Sequence, residues 1–121
     1  MIGAIIGDII GLKVIRRFTD AGRGEFTDNT VMTAAVADAL TCTKNPEKLG
    51  NVLKDIMSDY SCRYPNVVHI GFGSGFTACV SPCGYIAESL EEALALAEVS
   101  AGFFRNDPES IKAAKAVAAV I

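Results

Sequence analysis

At 121 residues the chain is long enough for one domain that buries roughly two thirds of its unfolded surface, and a second domain need not be sought. Half of the residues are hydrophobic and 21% are charged, which excludes a disordered tail. The formal charge of −3, with acidic and basic residues interspersed, leaves no basic stripe to neutralise a run of phosphates and argues against a nucleic-acid partner.

The opening MIGAIIGDIIG is apolar, but it lacks a basic leader, is interrupted by Asp8 and is shorter than the ~20 residues that span a bilayer. It reads as a buried helix over residues 2–11 and not as a signal or membrane anchor. Gly3, Gly7 and Gly11 recur every four residues, so one helix face carries all three and predicts close approach of another backbone. Residues 12–26, with mixed charges, Gly22 and Gly24, read as a surface loop.

From Thr27 onward Val31 or Met32, Ala35, Val36, Ala39 and Leu40 recur at three and four, the spacing of an amphipathic helix. A second amphipathic helix follows Pro46, with Leu49, Val52, Leu53, Ile56, Met57 and Tyr60 on its apolar stripe. The segment from Pro65 to Pro82 holds His69, Gly71, Gly73 and Gly75 and breaks any helical period, as a loop does. Ser89 with Glu92 forms a capping box for a helix whose predicted buried stripe is Leu90, Ala93, Leu94, Ala97, Ala101 and Phe104. Asp107 and Pro108 then open a last helix carrying Ile111, Ala114, Val117, Ala118 and Ile121, which runs to the final residue without a C-cap. Only VVHI at residues 67–70 has strand-like composition, so the predicted class is all-α.

Cys42, Cys62, Cys79 and Cys83 contain no C-x-x-C pair, and His69 stands at no zinc-like spacing from them. They read as buried, reduced, small apolar residues of a cytoplasmic protein.

Four stretches in order resemble the ADP-ribosylglycohydrolase family, across most of the chain. MIGAIIGDIIG is similar to that family's first helix, and FTDNTVMTAAVADAL to its F-T-D-D-T-x-M-T metal motif. GSGFTACVSPCG is similar to its G-N-G-S-A-M-R-V-S-P-x-G loop, and SLEEALALAEVSAGFFRNDPESIKAAKAVAAVI to its S-L-E-E and H-N-H-P-E-G-I-K segment. The resemblance implies an orthogonal all-α bundle, here a single, truncated domain spanning residues 1–121. It also implies Mg²⁺ or Mn²⁺ as cofactor, and hydrolysis of the glycosidic bond of ADP-ribose or of an ADP-ribosylated protein.

By the same resemblance Thr27, Asp28 and Asn29 occupy metal-ligand positions, and Gly73, Ser74, Gly75 and Asp107 occupy ligand-binding positions. Asp28 keeps a hard oxygen of the kind these cations prefer, while Asn29 replaces an Asp. Thr27 or Asp28 as a helix cap, a plain turn at Gly73–Gly75 and Asp107 as a cap are the alternative readings. Ser74, Phe76 and Cys79 replace the family's Asn, Ser and Arg, and Arg105 and Asp107 stand where it has histidines. Asp8 and Glu25 are further candidates near such a site, each with an ordinary structural reading beside it.

Two divalent ions need several carboxylates to offset their mutual repulsion, and the family's later D-x-D-S/T motif is not in this sequence. The expectation is therefore a relative that is catalytically impaired as this chain alone. A hydrolase completed by homo-oligomerisation and a non-enzymatic interaction module are the other readings. In each, mean hydropathy of +0.33 predicts a homodimer or higher oligomer.

Overall fold

The computed structural model describes residues 2–16, 27–65, 77 and 79–121. The α-helices among the described residues are α1 (Ile2–Arg16), α2 (Asp28–Cys42), α3 (Pro46–Arg63), α4 (Ser81–Ile86), α5 (Leu90–Phe104) and α6 (Pro108–Ala119). Among the described residues there is no strand, and the class is all-α. The VVHI stretch, the glycine segment with Gly73, Ser74 and Gly75, and Glu25 and His69 lie outside the described residues. So do the side chains of Asp8 and of residues 11–16.

Local chemistry sets the helix starts. Asn45 Oδ1 accepts the Glu47 backbone N–H at 3.0 Å, and Pro46 occupies the first turn of α3, where its missing N–H costs nothing. Ser89 Oγ accepts the Glu92 N–H at 3.1 Å, while the Glu92 carboxylate turns back to accept the Glu88 N–H at 2.7 Å. This is a capping box whose return bond reaches one residue further out than the usual form. Connections of three residues, 43–45 and 105–107, make α2 and α3, and α5 and α6, packed neighbours.

The core forms where α2, α5 and α6 pack on α4 and α3 packs on α2 and α5. Met32, Val36, Leu49, Leu53, Val80 and Leu96 are fully buried, and the space between them is closed by Ala35, Ala39, Ala97, Ala101, Ala114 and Ala118. Such small side chains let helix axes approach closely. The closest approach is at Gly84, where an added Cβ would lie 2.4 Å from the Ala118 carbonyl oxygen, so α4 and α6 touch backbone to backbone. The α2 and α3 stripes are buried or half-buried as the sequence predicts.

Several expectations are corrected. Residues 12–16 continue α1 as helix, and Ser81 and Pro82 begin α4 where a loop is expected. The short α4 carries a proline and a glycine, so propensity alone hides it; its neighbours hold it in place. The described part of α1 is largely exposed: Ile2, Ile6 and Ile10 are 70%, 49% and 54% exposed, and among the described residues no atom outside α1's own backbone lies within 4 Å of a Cβ built at Gly3 or Gly7. It is apolar on more than one face, and its extended contact among the described elements is with α2 alone.

On α5 the buried face holds Leu96 and Ser100 along with Ala93, Ala97, Ala101 and Phe104, while Leu90 is exposed. That face is rotated by about 40° from the predicted stripe, at 100° per residue. On α6, Ile121 lies beyond the helix end and is exposed, as is Val120. Cys79 and Cys83 are buried, but Cys42 and Cys62, near the solvent ends of α2 and α3, are exposed. Burial pushes the Cys83 thiol up to about 11 and raises that of Cys79 as well, so neither is a thiolate at neutral pH. No described helix is long and apolar enough to cross a membrane.

Candidate functional site

The segment Thr27–Asn29 forms the entry to α2. Thr27 keeps an extended backbone, with φ −100° and ψ −179°, and its Oγ1 accepts the Asn29 N–H at 3.2 Å, so it caps the helix. Asp28 then falls in the first turn, where a carboxylate is favoured by the partial positive charge of the helix start. One turn further on, the buried Thr33 donates its hydroxyl to the Asn29 carbonyl at 2.7 Å. That bond satisfies a buried polar group and fixes the backbone of the segment from beneath. Thr27, Asp28 and Asn29 are all half-buried.

Asp107 is a cap of a second kind. Its Oδ1 accepts the Ser110 N–H at 3.0 Å, its Oδ2 accepts the buried Ser110 hydroxyl, and the same Oδ2 lies 2.9 Å from Arg105 Nε. The two Ser110 hydrogen bonds first, and the Arg105 charge after them, hold the Asp107 carboxyl below its ordinary value. A carboxyl depressed on folding stabilises the native state above its unfolded value of 3.8, and that contribution is lost as pH falls through the folded value. Asparagine would keep the capping oxygen and remove the charge. Urea midpoints are therefore expected to differ between the wild type and Asp107→Asn by a constant amount from pH 7 to above pH 3.8, and to converge below it; a gap that widens in acid would contradict this assignment.

The Thr27–Asn29 segment starts α2 and Asp107 starts α6. Both α2 and α6 pack on α4, and they share no extended contact with each other. Ser81, at the α4 start, carries a buried hydroxyl without a hydrogen-bond partner among the described residues. Beside Asp107 an open groove of about 620 Å³ runs between α5 and α6, lined by Glu98, Asn106, Pro108, Ile111, Lys112 and Lys115. Lys115 Nζ and Glu98 Oε2 are 2.5 Å apart across it. Sequence reasoning passes over this groove because its walls come from two helices; the one local sign is Lys112 and Lys115, three apart on α6 and so on one side of it.

Among the described residues no group of three or more His, Cys, Asp or Glu side chains is placed to hold a metal ion. The α2 entry offers one carboxylate, Asp28, beside a threonine oxygen already accepting a backbone hydrogen bond and a neutral amide. These three residues by themselves do not supply the several carboxylates that a pair of divalent cations needs. No family model, no curated protein and no solved structure matches this chain.

Proposed function

We propose that the chain is an ADP-ribosylglycohydrolase-like protein that is catalytically impaired by itself. The family part of this reading rests on the sequence motifs. The impairment rests on one observation, the neutral Asn29 beside Asp28 at an α2 entry whose threonine oxygen serves as a cap. The purified chain, supplied with Mn²⁺ or Mg²⁺, is expected to release no ADP-ribose from ADP-ribosyl-arginine; turnover stimulated by either ion would overturn the reading. If the entry retains any cation affinity, Asn29→Asp adds a second carboxylate to it. Calorimetry is then expected to show Mn²⁺ binding strengthened about tenfold, about 1.4 kcal/mol. Equal binding by both forms would remove residue 29 from any metal site.

A second reading, self-association, is favoured by the exposed Ile2, Ile6 and Ile10 of α1 and by Tyr85, Val120 and Ile121, which are 79%, 85% and 53% exposed. Large apolar side chains left in water on one small chain favour association with a second copy. Sedimentation at micromolar concentration is expected to show a dimer or larger species, and a clean monomer would sink this reading. A cation-stimulated hydrolase that is active only in the associated state would replace the impaired chain by one completed through oligomerisation.

A further inference from the structure

We draw no further inference here: the strongest candidate, the unpartnered apolar face of α1 carrying Ile2, Ile6 and Ile10 as a docking surface with a defined occupant, already serves the self-association reading, and nothing in the structure shows what covers it.

Discussion

Gly84→Ala is expected to cost about 2–3 kcal/mol of folding stability, although it places a better helix former in a helix. The added methyl group would sit 2.4 Å from the Ala118 carbonyl oxygen and 3.0 Å from the Ile121 Cβ. A flexible side chain could swing away from such a contact, but the carbonyl belongs to the α6 backbone and moves only if α6 moves. Overpacking of this kind costs about 1–3 kcal/mol and occasionally more, against about 1 kcal/mol recovered from helix propensity. The control is Gly102→Ala in α5, where the new Cβ would meet only Asn106 Oδ1 at 3.8 Å and Ile111 Cδ1 at 4.0 Å, ordinary contacts. That substitution is expected to be neutral or to stabilise by up to about 1 kcal/mol. Urea midpoints at unchanged slope decide the matter. Equal effects at the two glycines would mean that α4 and α6 do not touch as described.

Leu96→Ala is expected to cost about 3 kcal/mol, within the 2–5 kcal/mol range for a fully buried leucine whose removal leaves a cavity. Leu96 has no solvent exposure and belongs to the central cluster, whereas Leu90, six residues earlier on the same helix, is 59% exposed. Leu90→Ala is expected to fall within about 0.5 kcal/mol of wild type. Domains of this size are commonly stable by about 5–15 kcal/mol, so the first change removes a large share and the second almost none. If the order of the two effects were reversed, the apolar stripe first read from the sequence would be the correct one.

That pair of leucines shows where the sequence informs and where it does not. Helix α5 was legible because Ser89 and Glu92 signal its start and apolar residues recur at three and four. The rotation of its buried face was not, because a helix apolar at both Leu90 and Leu96 has two plausible stripes, and only its neighbours decide between them. The caps at Thr27 and Asp107 were legible for the same reason as Ser89: a short polar side chain ahead of a helical period has few other uses.

Exposed α1 went the other way. Its composition reads as a core helix, and burial depends on partners that composition does not specify. Of the candidate site, the α2 entry and the Asp107 cap were foreseen as positions, while the groove beside Asp107 was not. Its lining comes from residues 98 and 106–115, and only the packing of α5 on α6 brings them together. Gly73, Ser74 and Gly75 lie outside the described residues.

The six residues of α4 make too short a helix to persist in water, and no side chain caps its start. It exists because α2, α5 and α6 pack on it, with one glycine seated against a neighbouring carbonyl. Burial within α4 is confined to Ser81, Pro82 and Cys83, while Tyr85 stands 79% exposed, so protection from exchange with heavy water is expected to fall from the buried start of this segment toward its exposed end and to be lost with the packing of its neighbours.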